Sequence, residues 1–326
     1  MIVPKYWAEG RLQHRAKGRQ VTVRRFGWSD LSLDDAQALA DVRTREAFER
    51  VLAGEPLPRR EGKQPYNGAV GVPIREEIVA REGDCVITRN SYGALCLNTP
   101  SALFVDIDLH DPGPEPALKR KVRWPLLALA LLVGLAASSW MVGIVAVTFA
   151  LWLAAWISRR IHASRMGRDG GPEARADRRI ETFVEQHPDW QLRQYRTPAG
   201  IRLLAMHRAF DPHEPAVEAC FTALQTDPVY AVMCVRQHCF RARVSPKPWR
   251  IGINRHMRPR PGTWPINPER MADRMQWVAD YERRSDGFAA CRYVRTLGDG
   301  RTDAGIDTVR TLHDRLCRAD SALPLA

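Results

Sequence analysis

From Trp124 to Ile157 the sequence has no charged residue: WPLLALALLVGLAASSWMVGIVAVTFALWLAAWI, 34 positions in a row. That absence excludes an ordinary core helix, which is shorter and carries a polar face, and predicts membrane-spanning sequence. As one straight helix the block would run roughly 51 Å at 1.5 Å per residue, well beyond a hydrocarbon core of about 30 Å. Two helices of about 16 residues would cover roughly 24 Å each, a shortfall that local bilayer thinning accommodates. Ala136, Ala137, Ser138 and Ser139 supply a turn between them, and Trp124, Trp140 and Trp156 recur at intervals of 16, where a hairpin places interfacial anchors. Lys119, Arg120, Lys121 and Arg123 precede the block, and Arg159, Arg160, Arg165 and Arg168 follow it. Basic residues on both flanks predict that both ends lie on the cytoplasmic side; a single tilted span is the alternative.

Other absences narrow the classes further. MIVPKYWAEG contains no apolar core of a signal peptide, so no cleaved leader is expected. There are no internal repeats and no low-complexity tracts. The seven cysteines (85, 96, 220, 234, 239, 291, 317) are odd in number and irregularly spaced, which with a cytoplasmic location predicts reduced thiols rather than a disulfide framework. CVRQHC brings Cys234, His238 and Cys239 together, but no second ligand pair at finger-like spacing follows, so a buried helix is favoured over zinc there. Acidic residues are outnumbered, 37 against 49 basic, for a net charge of +12. Anionic lipid and a nucleotide or nucleic acid are the two partner classes this implies.

Apolar patterning outlines the rest. A strand is predicted over 20–28, then a helix capped by Ser32 and closed by Gly54 and Pro56, a loop over 55–72, and a short helix in PIREEIVARE starting at Pro73. CVITRN and ALCLNT form a hairpin around SYG, and ALFVDIDL is a strand ending in two acids. Beyond the apolar block, a linker at 168–171 leads to a helix over 173–187. WQLRQYR and IRLLAMH flank a TPAG turn in which Gly200 supplies an unusual backbone angle. Helices over 213–226 and 229–238, strands on either side of SPKP, a helix over 268–284, the strand AACRYV and a helix over 303–318 complete the chain. Intermixed strands and helices indicate an α+β fold. Each side of the block has too few strands for its own sheet. The expected organisation is therefore one mixed domain built from residues 1–118 and 169–326, interrupted by a two-helix transmembrane hairpin with its basic flanks at 119–168.

Four groups of residues could carry chemistry. Asp106 and Asp108 share one face of a strand end, as two carboxylates must to hold a divalent cation such as Mg2+ or Mn2+. His110 and Asp111 could extend that pair. The turn around Thr197 and Gly200, flanked by Arg196, Arg202 and His207, could present hydroxyl, N–H and guanidinium groups to an anion. RARVSPKPWRIGINRHMRPR (241–260) has six arginines, one lysine and no acid. Within it Arg241, Arg243, Lys247 and Arg250 beside Trp249 suit phosphate and base contacts, or equally a basic surface on lipid headgroups. Arg89, Asn90, Tyr92 and Asn98 could line the same place or serve only their hairpin.

ITRNSYGALCLNT with LFVDIDL, YRTPAGIRLLAMH and CFRARVSPKPWRIGI resembles a family of uncharacterised bacterial transmembrane proteins, which implies no particular activity. More distantly, the chain is similar to archaeo-eukaryotic primase-polymerases, in which an acidic hDhD strand and a hairpin with a Ser/Thr–x–x–Gly–x–His-like turn sit in one mixed α+β domain that binds a nucleotide with divalent metal. Asp106 and Asp108 match the acidic motif, and Thr197 and Gly200 match the turn. Arg202 stands where that family has histidine, and no third acidic strand is present; Arg241, Arg243 and Lys247 occupy the corresponding region. The resemblance implies a primase-like metal and phosphate site, catalytic or inactive; the apolar block and its basic flanks add the expectation of a bacterial inner-membrane protein that crosses the membrane more than once with both termini cytoplasmic. The alternative from another class is a non-catalytic membrane protein whose basic surface binds anionic lipid or a protein partner.

Overall fold

The computed structural model describes residues 3–16, 19–61, 72–109, 113–168, 170–260 and 264–326. The chain forms two compact units, Met1–Asp108 with Phe183–Ala326, and Leu109–Thr182.

The first unit is mixed α+β. β1 (Tyr6–Ala16) and β2 (Arg19–Ser29) form an antiparallel hairpin. The helix α1 (Leu33–Leu52) lies on it through Ala36 and Ala40, which pack with Ala8. Ser32 caps α1 by accepting a 3.0 Å hydrogen bond from the Asp35 amide. β3 (Glu77–Glu82), β4 (Cys85–Arg89) and β5 (Leu95–Thr99) follow, then β6 (Phe104–Asp108). Past the second unit come β7 (Leu192–Arg196) and β8 (Gly200–Ala205), then α5 (Pro215–Leu224), α6 (Pro228–Gln237) and β9 (Phe240–Arg243). The helix α7 (Met271–Ser285), β10 (Arg292–Leu297) and α8 (Ala304–Cys317) end the chain.

Two four-stranded sheets make the body of this unit, ordered β3-β4-β5-β9 and β10-β7-β8-β6, every pairing antiparallel. Each joins strands from before and after the apolar block, through β5–β9 in one and β6–β8 in the other. Tyr230 of α6 ties the two together: its hydroxyl donates to the Phe104 carbonyl of β6 and accepts from the Arg241 amide of β9.

The second unit contains α2 (Pro116–Ala136), α3 (Trp140–Arg168) and the first turns of α4 (Gly171–Gln186), the helix that carries the chain across the boundary. The turn between α2 and α3 falls at 137–139, with Ser138 in a left-handed conformation. Gly134 and Gly143 let the two helices approach closely: a Cβ on Gly134 would lie 2.9 Å from the Gly143 Cα. Among the described residues one helix, α3, is long and apolar enough to cross a membrane. α2 falls short because its apolar part runs only from Trp124 to Ala136, roughly 20 Å at 1.5 Å per residue.

Several local expectations are corrected. The hairpin strand β1 had no counterpart in the patterning. PIREEIVARE is not helical: Glu77–Glu82 is the edge strand β3, whose charges suit an edge that faces water. WRIGI is not a strand, because Pro248–Ile251 forms a 3-10 turn. Gly200 has an ordinary backbone angle; its lack of a side chain serves contact instead, since a Cβ there would sit 2.0 Å from the Ile107 carbonyl oxygen. Of the loop expected over 55–72, positions 62–71 lie outside the described residues.

Candidate functional site

The register of β6, β8, β7 and β10 aligns one row of side chains across the sheet: Asp106, Arg202, Tyr195 and Tyr293. Arg202 is the pivot. It is buried, and its Nε donates to Asp106 Oδ1 at 2.9 Å while Nη2 reaches Oδ2 at 3.4 Å. Nη1 donates to the Arg243 carbonyl at 2.9 Å, which joins this sheet to β9. Burial works against the guanidinium's charge, but the charge and hydrogen bond of Asp106 outweigh it, so the pKa lies above its ordinary value. Asp106 is one-third exposed and Asp108, at the strand end, is exposed. The first of the two carboxylates is thus bound edge-on by an arginine.

Beyond Arg243 the chain turns through Ser245–Pro248 and presents three cations close together. Lys247 has its pKa lowered by burial first, then by Arg243 and Arg250, with Asp108 and Asp106 near enough to oppose the shift. Burial and Arg243 likewise lower Arg250, whose Nη1 is buried without a hydrogen-bond partner among the described residues. Arg243 Nη1 donates to the Ser245 carbonyl at 2.7 Å. No carboxylate among the described residues forms an ion pair with Arg243, Lys247 or Arg250. Two aromatic rings border them: Trp249, half exposed, stands 5.3 Å from the Tyr92 ring, and Lys247 Nζ lies 5.4 Å from the Trp249 centroid. Tyr92 comes from the SYG turn, which Asn90 holds by accepting from the Tyr92 and Ala94 amides. Burial pushes the Tyr92 hydroxyl up to about 12, so it remains a donor. Mutually repelling cations that form no ion pair among the described residues, beside the exposed face of Trp249, can bind an anion that also stacks.

The remaining candidates are dispersed. Arg241 is buried and donates to both oxygens of Glu76 at 2.8 Å and to Asn98 Oδ1 at 3.0 Å. It is a core ion pair, with its guanidinium turned away from solvent. Thr197 Oγ1 accepts from the Gly200 amide, closing its own turn. Arg89 is buried and pairs with Glu282 of α7. His207 packs between Trp190 and Phe210. Arg255, Arg258 and Arg260 line a different concavity, of about 910 Å³, with Asp273 and Trp277. Cys234 and Cys239 are buried free thiols, and among the described residues they join no metal-ligating cluster. His110 and Asp111 lie outside the described residues.

One cluster had no place among the expectations. Cys291, just before β10, and His313 and Cys317 of α8 bring their ligating atoms within 4.8 Å of one another, all buried, an arrangement that could hold a metal ion. The available signal was the spacing H-x-x-x-C, which puts both groups on one helix face. Cys291 lies 22 residues upstream of His313, and only the fold brings it in. Compared with protein-family models, curated proteins and solved structures, the chain matches none.

Proposed function

We propose that this chain is a membrane-anchored α+β protein whose Arg243–Lys247–Arg250 cluster binds the phosphates of a nucleotide or nucleic acid, with Mg2+ or Mn2+ bridging phosphate to Asp108 and Asp106. The observation that carries this is the group of three cations that form no ion pair among the described residues, bordered by Trp249 and Tyr92, with Asp108 and Asp106 near enough to Lys247 to act on its charge. The primase-like resemblance of the acidic strand and the TPAG turn supports the same ligand class. Arg202, standing where that family has histidine and covering both oxygens of Asp106, favours binding without turnover.

Supporting the anchor are the apolar length of α3 and the side chains it and α2 leave exposed, among them Trp140 at 76%, Val145 at 67% and Leu135 at 67%. Apolar surface on that scale calls for lipid or a partner. The close approach at Gly134 and Gly143 is of the small-residue kind that lets helices pair in lipid. The proposed location is the bacterial inner membrane, crossed by an α2–α3 hairpin with both termini cytoplasmic. A second reading shares the anchor: the same cations dock on anionic headgroups and the protein has no nucleotide ligand.

Nucleotide binding to the detergent-solubilised chain at low salt, with and without Mg2+, tests the proposal. Lys247→Ala and Arg250→Ala should each weaken binding about 10–100-fold, the loss of one charge-assisted contact of roughly 1.5–3 kcal/mol. Asp108→Asn should remove the metal-dependent part only. It is a cleaner variant than Asp106→Asn, which would also strip the counter-charge from buried Arg202. If nucleotides do not bind while anionic vesicles do, and Asp108→Asn changes nothing, the lipid reading replaces the first.

A further inference from the structure

Cys291, His313 and Cys317 are each at most 1% exposed. His313 Nε2 lies 3.4 Å from Cys317 Sγ and 4.0 Å from Cys291 Sγ, and all three atoms fall within 4.8 Å. A tetrahedral zinc ion, with Zn–S of about 2.3 Å and Zn–N of about 2.0–2.1 Å, requires S···N near 3.6 Å and S···S near 3.8 Å. Shifts of at most about 1 Å would therefore bring the three donors to ligand geometry.

The imidazole is already oriented for this. His313 Nδ1 lies 2.9 Å from Asp314 Oδ1, so the neutral tautomer that donates there leaves the Nε2 lone pair facing the two thiols. Asp314 is in turn held by Arg193 at 2.9 Å. A carboxylate behind a histidine, itself anchored, is the arrangement that fixes a ligating ring in metal sites. A fourth donor is at hand in the Arg243 carbonyl oxygen, 3.9 Å from Cys317 Sγ.

We propose that Cys291, His313 and Cys317 form a buried structural site for a thiolate-preferring divalent cation of the zinc class. On loading, each thiol gives up its proton to solvent, and two thiolates balance the ion's two positive charges. The cluster then adds no net charge beside Arg202, whose Nη1 stands 3.4 Å from His313 Nε2. The donor set is soft, two sulfurs and a nitrogen, which selects against Mg2+ and Mn2+. The site is therefore distinct from the carboxylate pair at Asp106 and Asp108 and does not depend on nucleotide binding. By joining the start of β10 to the end of α8, the ion would hold the helix against the sheet that carries Arg202.

The test uses the full chain in detergent, purified under reducing conditions. Metal analysis should find one zinc per chain. Replacement by cobalt(II) should give the visible bands of a tetrahedral ion and a near-ultraviolet thiolate charge-transfer band. Cys291→Ser and Cys317→Ser should lose that band, and Cys220→Ala, a buried thiol outside the cluster, should keep it. Asp314→Asn should weaken the metal about 10–100-fold while leaving the band in place at saturation. Since a core substitution can unfold the chain, the wild type is also treated with a zinc chelator, which should lower its melting temperature reversibly. A folded wild type that binds neither zinc nor cobalt, or a Cys317→Ser variant that retains the wild-type stoichiometry, overturns the proposal.

Discussion

Arg241 and Arg243 occupy one strand face two residues apart, yet one is a core ion pair and the other belongs to the cationic cluster. The difference lies in Glu76, 165 positions away in sequence, which reaches Arg241 and not Arg243. Strand alternation was enough to place both arginines on one face; nothing local could announce the distant carboxylate. Glu76→Gln should therefore leave a buried guanidinium without its counter-charge and cost about 3–5 kcal/mol, measurable as a lower denaturant midpoint. Lys247 gives a different signature. Its folded pKa is below the ordinary 10.5, so its charge is carried at a cost to the folded state below that folded pKa. The cost is relieved as pH rises from the folded toward the unfolded value, so this residue's effect on stability becomes less unfavourable across that window. A bound phosphate would raise the pKa again. Nucleotide binding in that alkaline window should thus take up a proton, seen as calorimetric heats that vary with the buffer's ionisation enthalpy. Heats that do not depend on the buffer would remove Lys247 from the site.

At the level of elements, Gly200 shows how a correct position can be given the wrong reason. The turn was legible from Thr-Pro-Ala-Gly, but glycine is needed there because β6 comes within contact, not because the backbone is left-handed. Gly200→Ala should push β8 from β6 and destabilise the fold by about 1–3 kcal/mol, as overpacking does; a melting temperature equal to wild type would show that the sheet yields freely. The α+β class, the strand carrying Asp106 and Asp108, the hairpin at 192–205 and the helices at both ends of the C-terminal part were legible from periodicity and punctuation. β3 was not, because an exposed edge strand tolerates the charge density of a helix. β1 was not, because its 11 residues alternate weakly: buried Trp7 and Ala8 are neighbours in sequence, and positions 11–15 are exposed. The Cys291–His313–Cys317 cluster was half legible, as a helical pair whose third member arrives only through the fold.

On the scale of the whole molecule, the division into Met1–Asp108 with Phe183–Ala326, and Leu109–Thr182, makes a direct prediction. Replacing residues 109–182 with a flexible linker should give a folded protein that stays in solution without detergent and keeps the wild-type nucleotide affinity. Aggregation of that variant would show that the inserted helices stabilise the rest. Reporter fusions at the N-terminus, at Ser139 and at the C-terminus should place the two ends together and Ser139 opposite. The same chain order has a consequence during synthesis. β6 has β8 as its sheet partner, and β5 waits for β9, so the first 108 residues leave the ribosome with two strand edges that cannot yet be satisfied. At about 5–20 residues per second, β8 follows β6 by roughly 5–20 seconds, and β9 arrives later still. The apolar helices are made within that interval, the second of them ending at Arg168, ahead of β8. The helices must therefore settle into their surroundings before the sheets can close, so if they anchor the chain in lipid as proposed, they do so ahead of the folding of Met1–Asp108 with Phe183–Ala326.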